Sequence, residues 1–289
     1  MDIRDRIVEQ FSGRSERADV WRALGHVLDT EAFLNLGYSE WYQPHPLPSS
    51  QRRLVTVVGS RLAAALPTTE GVHLLDVGCG RGGPAVHLAE RFGFDVTGID
   101  LVSYNLARAR ENAAAAGVDA AFVRGDVTHL PFASGSLPAC TAVDALVYVP
   151  DRAAAVAALS DVLEPGGVFV FSDLIAEPDP GASGQRALER LAEAWDMPPP
   201  GTRREYERAL ADAGLRVREV RDLTGRSVDR LRPWAALFCR VADGPARGLL
   251  EWLLCRWGLD PDAVVRQVRR AREALSHLRH VLFVARKPS

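Results

Sequence analysis

The chain has 289 residues, enough for one large domain or a domain with a cap, and its 47% hydrophobic and 25% charged content is an ordinary globular balance. A formal net charge of -2 excludes the basic footprint of a nucleic-acid binder and favours a neutral or small-molecule partner. Four scattered cysteines, Cys79, Cys140, Cys239 and Cys255, with no C-x-x-C and no histidine cluster beside them, argue against a disulfide scaffold and against a metal site.

The opening "MDIRDRIVEQF" is charged and amphipathic and lacks the apolar region of a secretory signal. Nowhere does an apolar run approach the ~20 residues a membrane helix needs. A reducing cytoplasm is therefore the expected location. Residues 1–66 read as largely helical, interrupted by "YSEWYQPHPLPSS", an ordered loop rich in aromatics, proline and serine. From about Gly71 to Leu174, short apolar runs alternate with helical stretches. "HLLDVG", "FDVTGID", "AAFVRG", "CTAVDAL" and "GVFVFSDL" have the length and Gly, Pro or Asp boundaries of strands in a sheet covered on both faces. Between them, "AVHLAERF", "NLARARENAAAAG" and "DRAAAVAALSDVLEPGG" carry apolar residues at helical spacing and mostly end at Gly or Pro. Such alternation predicts an α/β, Rossmann-like, doubly wound sheet with right-handed crossovers. Ligands of such sheets bind at the carboxyl ends of the strands, where strand order reverses. After a linker "EPDPGASGQ" come the helix "RALERLAEAW", a breaker "DMPPPG", the helix "TRREYERALADAG" and the strand "LRVREVRDL". Two further helices, around Ala246–Trp257 and Asp260–His277, lead to a last strand "HVLFVARK".

The first strand ends in "LLDVGCGRGG", in which Gly78, Gly80 and Gly83 form a G-x-G-x-x-G. That pattern is commonly a dinucleotide fingerprint, because glycines let the backbone approach a pyrophosphate at a helix N-terminus. Asp76, two residues earlier, would repel a pyrophosphate. It suits a ligand with a positive group, and S-adenosylmethionine carries a sulfonium and an α-ammonium but no phosphate. A plain tight strand–helix turn is the alternative. Asp100 ends "VTGID", where a carboxylate can take both ribose hydroxyls or cap the helix after Ser103. In "RGDVTHLPF", Asp126 can accept from an exocyclic amine such as adenine N6 while Val127 packs a ring face; the alternative is a turn aspartate. "LEPGG" is a structural turn into the fifth strand.

"LLDVGCGRGG", "VTGIDLV", "RGDVTHLPF", "VDALVYVPD" and "LEPGGVFVFSDL", in this order and spacing, resemble the class I S-adenosylmethionine-dependent methyltransferases. The likeness is to the small-molecule branch that includes sterol, sarcosine and natural-product enzymes, and it covers about residues 30–225. It implies a seven-stranded sheet with an antiparallel last strand, and helical cap or lid insertions. It implies three regions: a cofactor-covering segment over 1–66, a cofactor-binding core over 67–175, and cap helices with the last two strands over 176–289. It also places Asp76, Gly78 and Gly80 at the methionine end, Asp100 at the ribose, and Asp126 with Val127 at the adenine. Cys79, Leu101, Asn105 and Gly125 complete the expected cofactor site, with Tyr38 from the covering segment. Asp144 and its neighbour Ala145 are expected to face the transferring methyl.

Methyl transfer from a sulfonium is an in-line displacement, so alignment and exclusion of water can supply much of the rate. A base is needed only where the acceptor must lose a proton. Relatives often carry a histidine in the stretch written here "ALVYVPD", where this chain has Tyr148. Tyr148 is a candidate for orienting the acceptor, or a packed aromatic. Tyr38, Trp41 and Tyr42 could face the sulfonium, and His45 is the histidine candidate for acid–base work. Trp41, Tyr42, Ala145, Trp195, Trp234 and Phe238 are the expected acceptor-pocket residues, lining an apolar, aromatic space suited to a polyketide, terpenoid or aromatic molecule. The apolar tail helix "ARGLLEWLLCRWGL" packs on the sheet, makes a dimer contact in a monomer-or-homodimer protein, or closes as a lid. The expected activity is methyl transfer to an O, N or C atom. One alternative is a methyltransferase-fold scaffold catalysing cyclisation or rearrangement. The other is an NAD-dependent oxidoreductase, which leaves Asp76 unexplained and lacks a Tyr-x-x-x-Lys pair because Lys287 is the sole lysine.

Overall fold

The computed structural model describes residues 3–12, 25 and 28–289; the helical expectation for the intervening part of 1–27 lies outside these residues. Helix α1, Ile3–Phe11, buries Ile7 and Phe11, one turn apart on one face. Residues 28–47 form an irregular segment of turns. Helix α2, Pro48–Ala65, starts with proline in its first turn, where the missing N–H has no intrahelical partner to lose.

The sheet follows: β1 His73–Val77, α3 Gly83–Phe92, β2 Asp95–Asp100, α4 Ser103–Ala116, β3 Ala121–Arg124, β4 Leu137–Val143, α5 Arg152–Val162 and β5 Leu163–Ala176. Then come α6 Gly181–Ala194, α7 Arg203–Asp212, β6 Arg216–Asp222, α8 Val228–Asp243, α9 Arg247–Arg256, α10 Pro261–Ala274 and β7 Leu278–Arg286. Strand order is β3-β2-β1-β4-β5-β7-β6. The strands β1 to β5 pair in parallel, whereas β7 runs antiparallel to both β5 and β6. This is the seven-stranded arrangement with an antiparallel last strand that the sequence resemblance implies.

Alternation along the strands builds two cores. Leu74, Val168 and Val170 face Leu54, Val58, Leu62 and Leu88 of α2 and α3. Leu75, Val77, Phe169 and Phe171 face Val156 and Leu159 of α5 and Tyr206 and Leu210 of α7. Within the second core Phe171 stacks between Phe169 and Phe283, at centroid distances of 4.7 and 4.8 Å. A third group packs Leu188 and Leu191 of α6 against Val228 of α8 and Ala274 at the end of α10.

The tail departs from expectation at α8, for which no helix was anticipated. Pro233 lies inside it. A proline removes a backbone donor and signals a break, but Val228, Cys239 and Ala242 are buried on one side of the helix and packing overrides the local preference. The apolar helix α9 packs on α8 and α10 rather than on the sheet, with Leu254 joined to Leu259 and Val264 and to Phe238. Among the described residues no helix is long and apolar enough to cross a membrane.

The aromatic stack is the most sensitive point of the second core. Phe283→Ala is expected to cost about 3–5 kcal/mol, the range for emptying a fully buried aromatic site, seen as a lower midpoint in urea unfolding.

Candidate active site

The strand order reverses between β1 and β4, and the loops that leave these two strands meet. Gly78 has φ +64, and a Cβ on it would lie 2.5 Å from the Cβ of Ala145. Only glycine admits both the conformation and the approach. Gly83 donates its N–H to the Ala32 carbonyl at 2.9 Å, and a Cβ there would lie 2.4 Å from the same oxygen. The third glycine of the motif thus lets the irregular segment lie against the start of α3.

A partly open cavity runs along this crevice. One part is lined by Gly78, Cys79 and Gly80 after β1, Asp100, Leu101 and Asn105 after β2, and Gly125, Asp126 and Val127 after β3. Another is lined by Asp144, Ala145, Tyr148 and Val149 after β4. Arg4, Ile7 and Phe11 of α1, with Leu34 and Asn35, form the remainder of the wall.

Each carboxylate on the wall is held differently. Asp100 Oδ2 accepts the Gly80 N–H at 2.9 Å, and Oδ1 accepts the Val102 N–H at 2.8 Å and the Asn105 amide at 3.4 Å. Asp100 therefore shapes the glycine loop and caps α4 as well as facing the cavity. Burial pushes its carboxyl up, against these donors. Asp126 Oδ1 accepts the Thr128 N–H and hydroxyl, while Oδ2 pairs with Arg4 at 3.0 Å. Burial works to raise it, but Thr128 and Arg4 leave it below the usual carboxylate range. Asp144 stands in the left-handed region with φ +56, rare for a non-glycine residue. Its Oδ2 accepts the Leu36 N–H at 3.0 Å, and its Oδ1 accepts from Ser172 Oγ at 2.6 Å and His280 Nε2 at 2.8 Å. Burial opposes ionisation, yet His280 and these donors hold its carboxyl below the usual range.

Asp76 is a different case. The cavity is lined by Val77 and the glycines after it, not by Asp76. Asp76 is buried, and neither carboxylate oxygen has a hydrogen-bond partner. Burial, then the nearby Asp100 charge, pushes it up to about 8.

Residues 74–167 match the methyltransferase domain family. The chain is 31% identical over 206 residues to the O-methyltransferase resE of Aspergillus sclerotiorum, covering 70% of this chain and 74% of that one. It is 31% identical over 262 residues to a fatty-acid O-methyltransferase of Mycolicibacterium smegmatis, covering 89% and 84%. The chain belongs to the S-adenosylmethionine-dependent methyltransferases. Among solved structures, the 4+2 cyclase SpnF is similar with a TM-score of 0.69 at 21% identity, covering 94% of each chain. At that identity the likeness is one of fold alone.

For a methyltransferase the donor set fits the cofactor. S-adenosylmethionine is a cation with a ribose diol and an exocyclic amine, and the wall carries carboxylates at separate strand ends over a glycine turn. The orphaned oxygens of Asp76 suit a cationic neighbour, although the residue does not reach the wall. Several expected site residues lie elsewhere. Tyr38 is buried in the first core and donates its hydroxyl to Glu40 at 3.1 Å. His45 is buried too, with Nδ1 3.0 Å from Ser39 Oγ, and burial followed by Arg230 and Arg53 lowers it to about 4. Off the cavity wall and neutral, it is not placed for acid–base work. Trp41, Tyr42 and Trp234 are exposed, and Phe238 packs with Leu250 and Trp257. These residues carry polar backbone contacts or tail packing: Arg230, for instance, donates to the Trp41 and Gln43 carbonyls. Trp195 joins Ile7, Phe11 and Tyr148 in a cluster at the α1 side without lining the cavity. Of the expected acceptor-pocket residues, Ala145 lines the cavity, and so does Tyr148.

Sequence reasoning missed the α1 contribution and the partners of Asp144. Ile7 and Phe11 are one helical turn apart, a signal of one buried face but not of what it covers. His280 sits in the apolar strand "HVLFVA", and a histidine there needs a buried polar partner.

Two outcomes follow from the carboxylates. In cofactor-free protein the folded-state carboxyl of Asp76 titrates near 8 and its unfolded form near 3.8, so stability present at low pH is lost as pH rises between those values. Asp76→Asn should remove that loss, narrowing the difference between pH 5 and pH 8 in urea unfolding by about 2 kcal/mol or more. Asp100→Ala should weaken S-adenosylmethionine binding at least about tenfold in calorimetric titration.

Proposed function

We propose that this methyltransferase transfers a methyl group to a hydroxyl oxygen of an apolar small molecule of the natural-product kind. One observation carries the reading. Beside its carboxylates the cavity wall is largely apolar, with Ile7, Phe11, Leu34, Val127 and Val149 lining it, and its polar side chains include Asn35, Asp144 and Tyr148. Such a wall suits an apolar body presenting one polar group. The names of resE and of the mycobacterial relative, both O-methyltransferases, support oxygen as the atom methylated.

The bound cofactor supplies an activated methyl on sulfur. The chain's own residues bind and align. Asp100 and Asp126 would hold the nucleoside end, and the turn through Gly78 and Gly80 would admit the methionine part close to backbone. Tyr148 lies edge-on to Phe11, with centroids 5.3 Å apart. Its hydroxyl has no hydrogen-bond partner among the described residues and is free to orient an acceptor. Burial, then Asp144 and Asp173, push the phenol up, so it stays a donor at neutral pH. Ile7 and Phe11 exclude water from the α1 side. The four cysteines are unpaired, which supports a reducing cytoplasm as the place of action.

The test is incubation of the intact protein with methyl-labelled S-adenosylmethionine and a panel of apolar phenols, alcohols and amines. Label is expected in a methyl ether, identified by mass and by its proton chemical shift. Label on nitrogen or carbon, or an unlabelled isomerised product as a cyclisation scaffold would give, overturns the reading.

A further inference from the structure

The network behind Asp144 is built more completely than packing requires. His280 is fully buried on β7. Its Nδ1 lies 2.7 Å from Ser227 Oγ, and its Nε2 2.8 Å from Asp144 Oδ1. Ser227 Oγ also lies 3.1 Å from the Leu223 carbonyl, its other polar neighbour. On the other side, Asp144 receives the Ser172 hydroxyl on Oδ1 and the Leu36 N–H on Oδ2. A carboxylate accepting from three donors is ionised, and the ring nitrogen facing it then carries a hydrogen. The result is a buried histidine–carboxylate pair with both ring nitrogens and both carboxylate oxygens hydrogen-bonded. That is the condition under which a buried pair is tolerated.

The other ionisable groups around the pair do not replace His280. Tyr148 is a neutral phenol. Asp173 is pushed up to about 7 by burial, against its Tyr206 hydrogen bond and the Arg152 charge. His45, which feels the His280 charge, is neutral. Meanwhile Asp144 remains on the cavity wall, next to Ala145 and close to Tyr148.

We propose that Asp144 accepts the proton of the acceptor hydroxyl during methyl transfer, and that His280 is a positioning residue that keeps this carboxylate ionised and fixed toward the cavity. The proposal rests on the acceptor being a hydroxyl. In the step, an oxygen lone pair forms the new O–C bond and the C–S electron pair stays on sulfur. The O–H bond breaks, and its proton goes to the Asp144 carboxylate. Asp144 is then neutral beside His280, and it returns the proton to water when product leaves.

The test uses the full chain in two measurements. In protein labelled with nitrogen-15 histidine, Nε2 of His280 should carry a hydrogen at pH 7, read from its nitrogen shift and one-bond coupling. An Nε2 without a hydrogen overturns the proposal, because the carboxylate would then already hold the proton it is meant to receive. With a hydroxyl acceptor from the panel above, His280→Leu removes the donor to Asp144. The acid limb of kcat should move up by about one to three pH units, with KM for the cofactor unchanged. Ser172→Ala, which removes one neutral donor, should move it less in the same direction. Rates that fall equally at all pH values, with the acid limb in place, overturn the proposal and leave His280 a structural residue. A hydrogen on Nε2 with no transfer to any hydroxyl overturns the O-methylation reading and the proton-acceptor role with it. An Nε2 without a hydrogen, with transfer intact, overturns the proton-acceptor role alone.

Discussion

The carboxylate of Asp144 ties together parts of the chain that share no other reason to be adjacent. It ends β4 in a left-handed conformation and receives hydrogen bonds from the irregular segment at Leu36, from β5 at Ser172 and from β7 at His280. These partners lie 28, 108 and 136 residues away along the chain. Through His280 the network continues to Ser227 at the start of α8, so the cap is bonded to the same point. A buried carboxylate with fewer partners would be costly. The segment over the cavity, the sheet and the cap thus meet at one residue of the cavity wall.

Charge around the cavity is distributed to receive a cation. Asp76 lacks any partner, and Asp100 is buried near it. This arrangement destabilises the cofactor-free fold, and a bound positive charge would relieve it. Asp126 is handled differently: one of its oxygens is engaged by Arg4, so the first helix is bonded to the loop after β3 while Phe11 packs on Tyr148 after β4. One short helix therefore touches both halves of the cavity. The apolar contacts of Ile7 and Phe11 with Val102, Leu34 and Trp195 hold it there.

The cap shows where local signals and packing diverge. The capping box of Thr202 and Glu205, and the left-handed glycines Gly93 and Gly117 that stop α3 and α4, are read from sequence because they act within a few residues. Pro233 signals a break that does not occur, because α8 is held by contacts with α6, α10 and the start of β7. The tryptophans and Phe238 of the tail looked like pocket residues on the strength of their aromatic character. Trp234 faces solvent and Phe238 faces α9, because the orientation of a cap helix is decided by its neighbours.

By itself the sequence determined the order of the strands and of the helices other than α8, the glycine turn, the carboxylates at the ends of β2 and β3, and the family. These depend on period, on φ preference and on residues a few positions apart. Tertiary structure alone decided that Asp76 is buried off the wall, that His45 and Tyr38 are packed away from the cavity, that α1 lines it, and that His280 reaches Asp144. Each of these depends on which groups share a buried space. The solvation cost of a charge, and the partner that offsets it, are set by that space and not by neighbours along the chain.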